Sequence, residues 1–311
     1  MLSSRTSQLG ELLVKTETRF DIAFLGHYTK DTIVLAGREK VVDGGAVNYG
    51  ANVTARMGLR TAIITRMARQ DLKVFEELLR MGVQLLVHET AESTQLRLVY
   101  PSSNLDDRVI RVTGFAGPFA VEDLHKVEAS VFHVGASMRG EVPVHVVQSL
   151  RKKTSCVSLD LQGFIRIDSG GELTFDGWKD RQDVLKYIDI VKADLVEATM
   201  LTGKNDRHEA AEALTAFGLK EVVLTHNGGV LVHAEDRFYE APFMLKELRG
   251  RSGRGDTCIA AYLGKRLTAP PEEATVWAAA VTSLKLEDEG PFRRDIDEVR
   301  KLIQTKYLGR S

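Results

Sequence analysis

The chain has 311 residues, 27% charged and 43% hydrophobic, with 42 basic against 43 acidic side chains and a formal net charge of −1. Its length is ample for one large core, and its balanced charge gives no bulk footprint for nucleic acid or an anionic membrane. Two cysteines, Cys156 and Cys258, exclude a disulfide framework and a Cys-rich metal site and fit a reducing, cytoplasmic compartment.

Residues 1–19 read as a polar arm without the apolar segment of a secretory signal, and no later run approaches the roughly 18 uncharged apolar residues of a membrane span. A single domain is expected over 20–305. Strand-like runs fall at 22–25, 62–65, 83–87, 131–134, 156–161, 188–191, 222–224 and 230–233. Most are short, continuous and β-branched, as in strands covered on both faces of a parallel sheet. Helical patterns lie between them. One carries Ala46, Tyr49, Gly50, Val53 and Met57 along a single stripe. Another starts at Asp71, a candidate N-cap, and stops at Gly82, a candidate C′ residue. A third runs from Asp206 to just before Gly218. Alternating strands and helices imply βαβ units, hence an α/β fold with a mainly parallel sheet between helices. Two stretches, 32–43 and 94–113, have no helical period. Within the second, 95–100 and 108–112 read as a hairpin with one wet face. Both stretches fit a small β flap on the main sheet, or a surface elaboration with no role.

Chemistry concentrates in two glycine-rich segments. In Gly250-Arg-Ser-Gly-Arg-Gly-Asp-Thr-Cys, a helix begins near Gly255, because Ile259, Tyr262, Leu263 and Arg266 have helical spacing. Glycines before a helix start leave backbone N–H groups free at the positive end of the dipole, an anion site. Asp256 in the first turn fits a general base beside a transferring phosphoryl group, or merely complements the dipole. In Asp43-Gly-Gly-Ala-Val-Asn-Tyr-Gly-Ala-Asn, Gly44 and Gly45 open the first helix. Asn48 and Asn52, four apart, share one of its faces. Two amides side by side suit a polyhydroxylated ligand, or simply face solvent. Neither a Gly-x-x-x-x-Gly-Lys-Ser/Thr loop nor a dinucleotide fingerprint is present, and the eight histidines lack metal-ligand spacing.

These segments, about 210 residues apart, resemble the two signature regions of the ribokinase-like (PfkB) carbohydrate kinases. Gly26 and Asp31, Asp194-Leu-Val-Glu197 with Leu201-Thr-Gly203, and Thr225-His-Asn-Gly228-Gly229 resemble further family landmarks in the same order. The match spans about residues 20–292. Gly-Arg-Ser-Gly-Arg-Gly-Asp-Thr-Cys is most similar to a branch containing thermophile inositol kinases. The resemblance implies a ribokinase-like three-layer sandwich with a small β lid over the substrate, and ATP- and Mg²⁺-dependent phosphorylation of a sugar or polyol hydroxyl. By position, Asp256 matches the catalytic base, and the backbone of Gly253, Arg254 and Gly255 the anion hole. Asp31, Gly44, Gly45 and Asn48 match substrate-binding positions. Thr225, Gly228, Gly229 and Asp194 fall on the nucleotide side, and Glu197 where Mg²⁺ is organised through water.

Three departures stand out. Arg254 replaces the usual Ala, Asp194 replaces Asn, and the Thr225 loop is one residue short. We expect Arg254 to add charge stabilisation beside the transferred phosphate. Asp160 and Gln162, at the end of the 156–161 strand, are second-tier candidates on the substrate or metal side, as is Arg139. Cys258 reads as a small buried helix residue. The expected partners are a small sugar or polyol and a nucleotide, with no nucleic acid or membrane. The protein is expected to be a monomer or a homodimer paired through a lid edge. A nucleoside kinase of the same family and a catalytically silent sugar or nucleotide sensor are the competing readings. A dinucleotide-binding dehydrogenase is disfavoured by the missing fingerprint.

Overall fold

The computed structural model describes residues 19–101, 108–124 and 127–309. Residues 1–18 of the expected arm lie outside it, as do residues 102–107 of the 94–113 stretch. In chain order the strands are β1 (Arg19–Leu25), β2 (Thr29–Leu35), β3 (Arg38–Gly44), β4 (Thr61–Ala68), β5 (Gln84–Thr90), β6 (Thr94–Tyr100), β7 (Val109–Gly114), β8 (Glu128–Val134), β9 (Cys156–Asp160), β10 (Arg166–Ser169), β11 (Glu172–Phe175), β12 (Ile190–Asp194), β13 (Glu221–His226), β14 (Gly229–Ala234) and β15 (Arg237–Pro242). The α-helices are α1 (Ala46–Arg56), α2 (Glu76–Arg80), α3 (Val144–Arg151), α4 (Gln162–Ile165), α5 (Arg181–Leu185), α6 (Leu195–Thr202), α7 (Arg207–Thr215), α8 (Arg254–Arg266), α9 (Pro271–Leu286) and α10 (Ile296–Leu302).

The larger sheet has the order β15-β14-β13-β12-β9-β8-β1-β4-β5. From β5 to β13 its strands run parallel, and β14 and β15 turn back antiparallel at one edge. The run at 230–233 therefore belongs to an antiparallel strand. Strand β1 shows why helices cover both faces. Its side chains alternate, sending Ile22 and Phe24 into one core and Ala23 and Leu25 into another. The first core is closed by Val47 and Val53 of α1, Ile259 and Tyr262 of α8, and Val281 of α9. Val146 and Leu150 of α3 and Leu214 of α7 close the second. This arrangement is a three-layer α/β sandwich with a mostly parallel sheet.

The second sheet has the order β10-β11-β7-β6-β2-β3. It takes in both aperiodic stretches and adds the hairpin β10–β11, which sequence reading passed over because each strand has only four residues. Its face toward the body carries Leu96, Leu98 and Ile110, which pack with Met138 into a small core of their own. Asp31 and Ile33 pair in register with Leu96 and Leu98, so the same face presents Asp31 to the cleft between the sheets.

One expected helix differs. Asp71 is not an N-cap: residues Arg69–Phe75 form a 3₁₀ segment that leads into α2. The Asp71 carboxylate instead accepts from Lys30 Nζ at 3.1 Å and Ser93 Oγ at 2.7 Å, tying β2 to the loop before β6. Asp206 does cap its helix, accepting from the N–H groups of His208 and Glu209.

Candidate active site

The site is built at the C-terminal edge of the main sheet, where α8 begins. Gly253 precedes the helix in the left-handed region (φ 74°), and a Cβ there would lie 2.1 Å from Tyr49 Cδ1. No other residue fits. Of the three anion-hole amides expected, that of Arg254 is committed, since it donates to Arg251 O at 3.3 Å as the turn tightens. The N–H groups of Gly253, Gly255 and Asp256 have no acceptor among the described residues, so the free donors here include Asp256's own amide in place of Arg254's.

Directly beneath it lies a charge that sequence reasoning missed. Lys192 of β12 is so close to Gly255 that a Cβ there would sit 2.6 Å from its Nζ. The ammonium donates to Asp160 Oδ1 at 3.2 Å, has Asp160 Oδ2 at 3.0 Å, and lies 3.9 Å from Glu197 Oε2. Burial works against its charge, yet Asp160, Glu197, Asp256 and Asp194 together hold it above its usual value. The signal in the sequence was a lysine inside the apolar run Ile190-Val191-Lys192-Ala193.

Asp256 faces this positive field from the first turn of α8. Its carboxylate makes no hydrogen bond among the described residues. Burial, helped by Asp160, lifts its pKa to about 6, with Lys192, Arg166 and Lys285 pulling the other way. Asp31, on the lid, is raised to about 7 chiefly by burial. Its hydrogen bond from Thr29 and the nearby Arg108 oppose the rise, while Asp256 and Asp43 add to it. Asp31 Oδ1 is buried and has no hydrogen-bond partner. The two part-buried carboxylates are near enough for Asp256 to raise Asp31, and an orphaned buried oxygen calls for a ligand donor.

On the other side of the hole, Arg254 Nη1 donates to Asn227 Oδ1 at 3.1 Å, bridging the start of α8 to the tight β13–β14 turn that holds Gly228 and Gly229. Burial lowers this guanidinium's pKa but leaves it cationic. Thr225 pairs in register with Asp194 on the neighbouring strand. Asp194 caps α6 in a capping box with Glu197: Asp194 Oδ1 accepts Glu197 N–H and Glu197 Oε2 accepts Asp194 N–H, each at 2.8 Å. Glu197 Oε1 also accepts from Arg166 at 3.3 Å. Burial raises Glu197 to about 7, opposed mainly by Lys192. With both oxygens engaged by an amide and two cations, this carboxylate is not free to ligate Mg²⁺ directly, and a place in organising the ion would run through water, as the resemblance implied. No group of three or more His, Cys, Asp or Glu able to hold a metal occurs among the described residues.

The remaining expected residues are placed as follows. Gly44 lies against the Asp31 carboxylate, and Gly45 precedes α1. Asn48 and Asn52 are buried rather than solvent-facing. They form an internal ladder: Asn48 Nδ2 donates to Asp43 O at 3.3 Å, and Asn52 Nδ2 to Asn48 Oδ1 at 3.2 Å and O at 2.9 Å. Arg56 then donates to Asn52 Oδ1 at 2.8 Å. A cavity of about 310 Å³ under the lid is lined by Ile33, Tyr49, Tyr100, Gly250, Ser252 and Lys285, among others. A larger cleft of about 490 Å³, beyond the edge strand β3, takes in Asp43, Asn48 and Asn52. Gln162 starts α4, its N–H donating to Asp160 Oδ1 at 3.1 Å; its side chain forms no hydrogen bond among the described residues. Arg139 is committed to Phe164 O and Asp176 Oδ1, away from the site. Cys258 is buried, and burial pushes its thiol up to about 11.

No family sequence model matches the chain. A solved pyrophosphate-dependent kinase of the ribokinase family, complexed with a pyrophosphate analog and myo-inositol, is 35% identical. The match covers 90% of this chain and 99% of that one, with a TM-score of 0.83. Arabidopsis thaliana ribokinase, solved with ribose and ATP, is 18% identical over 92% of this chain and 99% of that one (TM-score 0.72), a likeness of fold. The cytidine kinase of Thermococcus kodakarensis is 26% identical over 271 residues, which is 82% of this chain and 92% of that protein.

Proposed function

The chain belongs to the ribokinase family of kinases, and we propose that it transfers a terminal phosphoryl group to a hydroxyl of a small polyol or sugar, with Asp256 as general base. The observation that carries this reading is the Asp256 carboxylate, enclosed, raised to about 6 and free of hydrogen bonds, beside the open amides of Gly253, Gly255 and Asp256. The acceptor enters under the lid, where Asp31 Oδ1 takes a hydrogen bond from one of its hydroxyls. Asp256 removes the proton of the attacking hydroxyl as its oxygen forms the new bond to phosphorus, and the bond to the leaving phosphate oxygen breaks. The free amides and the Lys192 ammonium stabilise the charge on the transferring group, so positioning and preorganised electrostatics supply most of the rate.

For the acceptor, an inositol-like polyol is favoured, because the 35% identical relative was solved with myo-inositol. A nucleoside is the second reading, favoured by the cytidine kinase relative. The expectation of ATP widens to a phosphoanhydride donor, and within that class we favour pyrophosphate. The 35% identical relative is pyrophosphate-dependent, and Arg254, held to Asn227, supplies a fixed cation at the start of α8 for a small, highly charged donor. ATP remains the alternative that the resemblance of the Thr225 loop supports.

The test is a matrix of pyrophosphate and ATP against inositols, hexoses, ribose and nucleosides, read as phosphate or ADP release. The expected result is turnover with myo-inositol and pyrophosphate. Turnover with a nucleoside and ATP alone would replace both finer assignments. Ligand binding without turnover on any combination would favour the silent sensor.

A further inference from the structure

One buried charge is given no role in the transfer just described, although it acts on Asp256. Lys285, next to last in α9, is 1% exposed, and its Nζ donates to Gly250 O at 2.6 Å. Gly250 opens the segment that leads to Gly253 and the free amides of α8. The same segment is tied to the end of α9 by Arg249 N–H and Gly250 N–H, both donating to Leu286 O, at 2.9 and 3.1 Å. The Lys285 ammonium lies 5.6 Å from the centre of the Tyr49 ring, the ring against which Gly253 is packed. It also lines the cavity under the lid. An ammonium has three donors, and the bond to Gly250 O engages one of them. The charged groups facing it are Asp256 of α8, and Asp288 and Glu289 of the segment after α9. Burial lowers the ammonium to about 8, against these three carboxylates, Asp256 foremost.

A lysine placed only to complement the end of the α9 dipole would serve as well in water. Burying it without full pairing is costly, so its position calls for another reason. We propose that Lys285 is a positioning residue, a built-in cation. It pins the 249–253 segment through the Gly250 carbonyl, so that the amides at the start of α8 stay aimed at the donor phosphate. It also offsets the negative charge that gathers around Asp256. This role rests on the phosphoryl-transfer reading above.

The experiment compares the full-length wild type, Lys285→Met and Lys285→Arg. It measures kcat and KM in tetramethylammonium buffer, then with ammonium chloride at equal ionic strength, alongside amide exchange over 249–256. For Lys285→Met we expect kcat to fall about ten- to a hundredfold, with acceptor KM within about threefold of wild type. Ammonium, small enough to refill the vacated place, should restore much of kcat and slow the accelerated exchange of 249–256. Wild-type kcat in Lys285→Met would overturn the proposal, as would a loss that ammonium leaves untouched. Should Lys285→Met fail to fold, Lys285→Arg decides. Wild-type kcat should fall above pH about 8 as the ammonium loses its proton, and the guanidinium should abolish that limb; an unmoved limb contradicts the role. A wild type without turnover sinks the phosphoryl-transfer reading, and the exchange comparison then tests the pinning by itself.

Discussion

Asp256 and Arg254 sit two residues apart at the start of α8 and are asked to do opposite things. A carboxyl raised from about 3.9 to about 6 holds its proton more tightly in the folded state than in the unfolded one. Stability therefore falls as pH rises from about 4 to about 6, and above that range the folded protein carries the cost of a partly buried charge. Asp256→Asn should abolish turnover while raising the midpoint of thermal unfolding at pH 8 by several degrees; a drop in that midpoint would contradict the account. Arg254 costs desolvation too, a cost that the proposed role beside the transferring phosphate would offset. Arg254→Ala should lower kcat on the order of ten- to a hundredfold and raise donor KM. Unaltered kinetics would reduce the guanidinium to a brace for Asn227.

At the scale of elements, the meeting of β9, β12 and α6 matters most. Lys192, Asp160 and Glu197 bring three charges into the interior, with side chains 5%, 0% and 2% exposed. Removing one partner leaves the others uncompensated, a loss of about 3–5 kcal/mol. Lys192→Met should show that loss in chemical denaturation as well as a loss of activity; a change below about 1 kcal/mol would mean that the carboxylates simply take up protons. This cluster also marks where sequence reasoning stopped. The main-sheet strands were legible because covered parallel strands are short apolar runs, and α7 was legible because Asp206 and Gly218 bracket it. Three-dimensional pairing was not legible. Nothing in the spacing of Asp160, Lys192 and Glu197 says that they meet, and Asp71 looked like a helix cap although a distant lysine and serine claim it. The Asn48–Asn52 pair had the right spacing to be seen, but its burial and its coupling to Arg56 depend on how α1 packs.

Across the whole molecule, a balanced composition proved compatible with a strongly polarised site. Positive potential is concentrated at one sheet edge by free amides, Lys192, Arg254 and Lys285, and it is faced by Asp31 on a lid assembled from three separate stretches of chain. Two of those stretches were legible from their two-residue alternation; β10–β11 was too short to be. The order of the glycine-rich segments carried the family, while the donor lay beyond what motif order alone distinguishes. The most direct measurement is the pH dependence of kcat for wild type and Asp256→Asn, with pyrophosphate and myo-inositol as substrates. The base must be ionised, so wild-type kcat should climb as pH rises through about 6, and Asp256→Asn should show no turnover at any pH. An Asp256→Asn enzyme that keeps wild-type turnover, with the same acid limb, would contradict the account.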